Sequence, residues 1–266
     1  MCTFNFLPEG WKDEISEVTI DKFTEDMVQG KILQGFVQSC DNQYNLHVSL
    51  GNGVTGIMPR SEVEGINLLD GLPKKNLCTG KVHRYVQFKV KELTDENSPI
   101  LSRKDVQQEA LKSAIQNLQI GQVINGIVKN ITSYGAFVEI GGGVVGLIHI
   151  EDLSVARIKT PFERLKLEQK IQVVVKGIDY QKSKITLSYK ENFGNWEENA
   201  NKFKEGQKVR GIIRETEKNK NGIFIELTPN LVGMSEYQEG LKYGENVQVY
   251  IKKIDYDKKK VKLSIV

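Results

Sequence analysis

Between residues 136 and 140 the chain alternates Ala136, Val138 and Ile140 with Phe137 and Glu139. A period of two sends successive side chains to opposite faces of a strand, so the small and branched residues face a core and Phe137 shares the wetter face with Glu139. The same rhythm returns at Ile223, Ile225 and Leu227, which leaves Phe224 and Glu226 outward, and at Leu46, Val48 and Leu50. Each alternation follows a pair of glycines five positions apart: Gly30 and Gly35, Gly121 and Gly126, Gly206 and Gly211. Each is followed by a second glycine-bearing stretch (Gly53 to Gly56, Val145-Gly146, Val232-Gly233) and closed by Leu-Ser at Leu101, Leu187 and Leu263. Such self-similarity predicts a tandem array. Each copy runs to roughly 70–80 residues, small but within the range that folds alone.

The pattern changes between the copies. Residues 104–118 hold good helix formers, with Val106, Ala110, Ile115 and Leu118 on one stripe, and predict a connecting helix. Residues 191–203 predict a second, shorter joint with Trp196 and Phe203 as packing anchors. The predicted organisation is an N-terminal arm (1–26), a first degenerate barrel (27–103), a linker (104–118), a middle barrel (119–190), a linker (191–203) and a third barrel (204–266). The arm, with Phe4, Phe6, Leu7 and Trp11 scattered among acids, reads either as a short helix or as a strap against the first barrel.

Composition narrows the classes. With 27% charged and 39% hydrophobic residues, the chain has the balance of a folded protein, and no apolar run approaches the ~18 residues of a membrane span. Met1 to Pro8 lacks a basic region followed by an apolar core, so no secretory signal is expected. Cys2, Cys40 and Cys78 are scattered and odd in number, as reduced thiols of a cytoplasmic protein would be. The net charge of +3 does not by itself announce a nucleic-acid binder, but its distribution is uneven. Residues 1–103 carry −3, 104–118 are neutral, 119–190 carry +4 and 191–266 carry +2.

The middle copy carries a set of separated landmarks: Gly121-Gln-Val-Ile-Asn-Gly126, Ser133-Tyr134-Gly135-Ala136-Phe137-Val138, Gly146-Leu-Ile-His149, Ile178-Asp179 and Ile185-Thr-Leu187-Ser188. This segment resembles the S1 RNA-binding motif of bacterial ribosomal protein S1 and of polynucleotide phosphorylase. The resemblance implies an all-β chain of three tandem five-stranded oligonucleotide-binding (OB) barrels of S1 type, joined by short helical linkers and gripping single-stranded RNA.

Tyr134 sits three positions before Phe137, which in a regular strand would point it the other way. Gly135 permits a bulge that resets the parity and lets both rings share one surface. Rings on a small barrel equally serve as core or as end covers; the resemblance is what favours RNA. It implies that Tyr134 and Phe137 stack bases and that His149 stacks or hydrogen-bonds. It also implies that Lys184 meets phosphate and that Asp179 orients the set. Tyr134 stands where the family usually has phenylalanine, and Lys184 one position later than in the tightest family turns. In the third copy Phe224 matches Phe137, Asn221 replaces the first ring and Glu236 falls at the place of His149. Lys252, Lys253 and the run to Lys260 predict a barrel that depends more on phosphate. In the first copy Tyr44, His47 and Pro59 occupy the positions of Tyr134, Phe137 and His149. Its Gly56-to-Glu62 stretch resembles the leading repeats of the family, which serve docking.

Gly141-Gly-Gly143 lacks the Gly-Lys-Ser/Thr of a phosphate loop and reads as a hairpin turn. No paired carboxylates, metal-ligand cluster or nucleophile–base pair stands out, so neither catalysis nor a metal or other cofactor is expected. The expected function is binding of single-stranded RNA, such as mRNA, in translation or mRNA handling. Residues 1–103 are expected to contact the ribosome or its proteins. The competing reading is a protein-interaction scaffold that docks on the ribosome or an RNA-processing complex.

Overall fold

The predicted alternations close into three barrels. The computed structural model of the chain describes residues 4, 6–12, 25, 29–65, 68, 69, 71–94, 98–216 and 222–266. Strands β1 (Leu33–Cys40), β2 (Leu46–Gly51) and β3 (Val54–Met58) are followed by a two-residue hairpin, β4 (Leu68–Leu69) and β5 (Leu72–Pro73). Strands β6 (Tyr85–Leu93) and β7 (Pro99–Ser102) complete the first barrel. The middle barrel is built from β8 (Val123–Ile131), β9 (Gly135–Gly141), β10 (Val144–His149), β11 (Lys170–Asp179) and β12 (Lys184–Ser188). The third is built from β13 (Lys208–Thr216), β14 (Ile223–Thr228), β15 (Leu231–Ser235), β16 (Asn246–Asp255) and β17 (Lys260–Ile265). All three close in one order, strands one, two, three, five and four, with the third and fifth parallel. Inward residues Leu46, Val48, Ala136, Val138, Ile223 and Ile225 are all fully buried. Burying each larger aliphatic side chain contributes about 1.5–3 kcal/mol.

Gly126 and Gly146 serve closure by leaving room. A Cβ on Gly126 would lie 2.5 Å from Val138 Cγ1, and one on Gly146 would lie 2.6 Å from Leu187 Cδ1. The bulge expected at Gly135 lies elsewhere. It falls on the opposing strand β8 between Val128 and Asn130, and its counterparts fall between Val37 and Ser39 on β1 and between Ile213 and Glu215 on β13. Tyr134 precedes β9 in a bend, whose carbonyl accepts the Ile150 N–H at 2.9 Å. Gly135 is required because a Cβ there would sit 2.2 Å from the Ile148 carbonyl oxygen.

The barrels are docked, not merely strung together. The helix Arg103–Asn117 is capped by the Ser102 side chain, which accepts the Asp105 N–H. It buries Val106, Ala110 and Ala114; Ile115, assigned to the stripe from sequence, is only half-buried, and Ala114 takes its place. This face meets the hairpin turn Gly141–Gly143, whose residues all have positive φ. The described part of the N-terminal arm reaches past the first barrel. Phe6 packs into the core of the middle barrel, and Leu7 accepts the Gly142 N–H at 3.1 Å. The rest of residues 1–26, apart from Glu25, lies outside the described residues.

A buried ion network seals this joint. Glu9 of the arm meets Lys81 at 2.7 Å, Arg103 at 3.4 Å and Lys129 at 3.5 Å, and Glu64 meets Arg103 at 3.1 Å. Glu139 accepts the N–H groups of Gly143 at 3.0 Å and Glu9 at 3.2 Å. Burial pushes the Glu9 carboxyl up, but Lys81, Arg103 and Lys129 outweigh it and hold it well below the usual range. Burial and the charge of Glu9 together raise Glu139. The expectation that Glu139 faces solvent is therefore corrected. It does share the outer face of β9 with Phe137, but the arm and the first barrel cover it to 2% exposure.

The second joint repeats the device. Arg214, in the β13 bulge, occupies the position of Lys129, and Glu226 that of Glu139. Arg214 pairs with Glu226 and Glu163, and Arg164 reaches Glu226 at 2.7 Å. Asn230 donates to the carbonyls of Lys190 and Gly194 at 2.7 Å each. Trp196 leads the short helix Trp196–Ala200, packs on the third core and meets the Tyr256 ring edge-on.

Candidate nucleic-acid interface

Strand register assembles a row on the outside of the middle barrel. Phe137 on β9 lies opposite Asn130 on β8 and Leu147 on β10; Leu147 lies opposite Thr186 on β12, and Thr186 opposite Gly177 on β11. Residues paired across a sheet point to one face, so this row forms a continuous strip. Tyr134 flanks one side, its ring 6.2 Å from that of Phe137 at 86°. Tyr134 is 49% exposed, and Phe137 is half-buried beneath it. His149 lies on the Tyr134 side, opposite Gly135. Its Nδ1 accepts the Glu151 N–H at 3.5 Å and caps the turn that follows β10.

Lys184 and Asp179 face each other on β12 and β11. They share the face of the row but stand at its other flank, away from His149, because β10 runs parallel to β12 from the Leu147–Thr186 pair. Asp179 Oδ1 is committed to the backbone N–H groups of Gln181 at 3.1 Å and Lys182 at 3.0 Å, which makes it a turn-forming residue. Lys184 is exposed.

In the third barrel the equivalent row runs Phe224, Met234, Lys262, Lys253. Lys260 faces Asp255 two positions from Lys262. Lys252 is the bulged residue of β16 and lies 3.8 Å from Glu236. Asn221 lies outside the described residues. Met234, Lys262, Leu147 and Thr186 were not singled out from sequence. Only the pairing of β15 with β17, and of β10 with β12, brings them beside the rings.

The first barrel's row is His47, Ile57, Ile100 and Glu92. Tyr44 is already occupied, with Arg60 at 5.3 Å and Lys75 at 5.1 Å from its ring centre. His47 sits 3.8 Å from Asp41, and Pro59 begins the helical turn Arg60–Val63. Among the described residues no cluster of His, Cys, Asp and Glu is placed to hold a metal, and no helix is long and apolar enough to cross a membrane.

A closed five-stranded barrel carrying such a strip on its second and third strands defines the OB class. Residues 117–190 match the S1 RNA binding domain family. The chain is similar to the small ribosomal subunit protein bS1 of Neisseria meningitidis serogroup B, 37% identical over 172 residues, covering 63% of this chain and 29% of the relative. It is similar to that of Pseudomonas aeruginosa, 32% identical over 189 residues, covering 69% of this chain and 30% of the relative. The protein of Staphylococcus aureus is 43% identical over 111 residues, covering 40% of this chain and 28% of the relative. The chain thus spans less than a third of the length of these curated relatives. Its middle barrel is an S1 RNA-binding domain, and the chain is homologous to bacterial ribosomal protein bS1, with three barrels that match tandem repeats of that type.

Proposed function

We propose that this chain binds single-stranded RNA along the outer strips of its middle and third barrels and acts in translation or mRNA handling. One observation carries the reading: Tyr134 and Phe137 stand edge to face at 6.2 Å on the outside of an S1 barrel. Unpaired bases stack on such rings at about 1–3 kcal/mol each. The middle barrel supplies stacking through Tyr134, Phe137 and His149, with Lys184 on phosphate. The third supplies one ring, Phe224, and a phosphate-holding edge of Lys252, Lys253, Lys260 and Lys262. Duplex RNA hides its base faces and is a poor ligand for this surface. Two sites joined by a short linker raise each other's effective concentration.

The first barrel is proposed to contact protein, the ribosome or its components, in the manner of a docking module. Its ring is covered by its own cations and its strip ends on Glu92, which favours this role over RNA grip for that strip.

The test is a fluorescence titration of the whole chain with single-stranded and duplex RNA at two salt concentrations. Single strands are expected to bind more tightly, with a log–log salt slope of about −3 to −4 for roughly 4–6 neutralised phosphates. The double change Tyr134→Ala, Phe137→Ala is expected to abolish binding. Unchanged RNA affinity in that variant would leave the scaffold reading in possession.

A further inference from the structure

The first barrel is docked beside the middle barrel's strip and does not close over it. Between them runs a groove of about 760 Å³, within the size range of small-ligand sites. Phe137 and Val145 of the middle barrel form one wall, and Asn76, Leu77 and Arg84 of the first barrel form the other. We propose that this groove is a composite subsite that takes one unpaired nucleobase from the same RNA strand that stacks on Phe137. The proposal rests on the RNA-binding reading above and adds a second barrel to it.

Three features point to a base. The carboxylates of the groove are already matched: Glu9 and Glu64 meet Lys81 and Arg103, Glu139 meets Lys129, and Glu168 meets Arg84 at 2.6 Å. No excess positive charge remains inside to hold a phosphate. The polar groups left over suit an uncharged ligand edge. The side-chain amides of Asn76 and Asn130 make no hydrogen bond to the described residues and are exposed on opposing sides. An amide offers donors and an acceptor, which is what a base edge requires. The buried Lys129 Nζ also makes no hydrogen bond, its carboxylate neighbours standing 3.5, 3.6 and 3.7 Å away. An ammonium has three donors, and a base carbonyl or ring nitrogen would accept one.

The third feature is continuity. Asn130 and Phe137 are paired in the strip, so the groove opens at its edge. Val145, 42% exposed, lies in the groove wall, and the Leu147–Thr186 pairing places Lys184 level with it one strand away. A strand that stacks on Tyr134 and Phe137 can set a phosphate on Lys184 while its next base enters between Phe137 and Leu77.

The test uses the full chain with Asn76→Ala and Leu77→Ser combined, Tyr134→Ala alone, and labelled single-stranded RNAs of about 4 and about 12 nucleotides, both within the range of sites for single OB barrels. The groove variant is expected to bind both RNAs about fivefold more weakly, the factor of one lost hydrogen bond of ordinary net strength. A 4-thiouridine-bearing RNA is expected to cross-link to the segment 75–84 of the unaltered chain, a readout that needs no variant to fold. If the groove variant matches the parent on both RNAs and no cross-link reaches 75–84, while Tyr134→Ala still weakens binding, the groove is overturned and the strip stands. If Tyr134→Ala also has no effect, the strip fails, and the groove with it.

Discussion

Lys253 and Lys262 stand directly opposite each other on β16 and β17, and neither has a carboxylate within ion-pair distance among the described residues. Like charges directly opposed on one sheet face destabilise it by roughly 0.2–1 kcal/mol. An anion laid across both removes that cost. Lys262→Gln is therefore expected to raise the melting temperature of the free protein slightly. It should also weaken RNA binding and reduce the salt slope by about one. An unaltered slope would remove Lys262 from the phosphate path.

Tyr134 and Phe137 are expected to separate in stability, not in role. Tyr134 is 49% exposed in a bend, so Tyr134→Ala should move stability by less than about 0.5 kcal/mol. Binding should fall by roughly 1–3 kcal/mol for the lost stacking partner. Tyr134→Phe keeps the ring and should keep the affinity. Equal losses from both variants would show that the hydroxyl, not the π face, makes the contact.

Glu139 ties the first joint to pH. Its folded pKa is raised, by burial first and by the Glu9 carboxylate second. A raised acid contributes stability that is fully present below its unfolded pKa and is lost as pH rises through the folded value. Glu139→Gln mimics the protonated form and retains an acceptor for the Gly143 and Glu9 N–H groups. Its melting temperature relative to the parent is expected to climb as pH increases from the acid side toward neutrality. A difference that stays constant with pH would mean that Glu139 titrates as an ordinary carboxyl.

The triple-glycine turn gives a packing test with an internal control. Gly142 has φ +56°, and a Cβ there would lie 2.4 Å from Ala110 Cβ on the connecting helix. Gly121 also has positive φ, +89°, but meets nothing within 4 Å. Gly121→Ala should cost only the left-handed backbone strain, about 1–2 kcal/mol. Gly142→Ala should cost that plus about 1–3 kcal/mol of overpacking. Equal melting temperatures for the two variants would mean that the helix does not press on the turn.

The barrels were legible in the sequence because a strand's facing is local. Ala136, Val138 and Ile140 declare their side by spacing alone, and the spaced glycines recur wherever a core side chain such as Val138 or Leu187 needs the room. The ring pair was legible as residues but not as geometry, since Tyr134 owes its direction to a bend held by Ile150. Nothing local distinguishes Glu139 from an ordinary outward glutamate. Its burial comes from contacts such as the one with Glu9, 130 residues away. The same holds for Met234 beside Lys262, brought together by a parallel pairing of strands that are not adjacent in sequence. Side-chain periodicity thus determined how many barrels form and which face of each strand is wet. Tertiary docking decided which part of that wet face stays open, because burial between barrels depends on surfaces meeting across distances that no local pattern encodes.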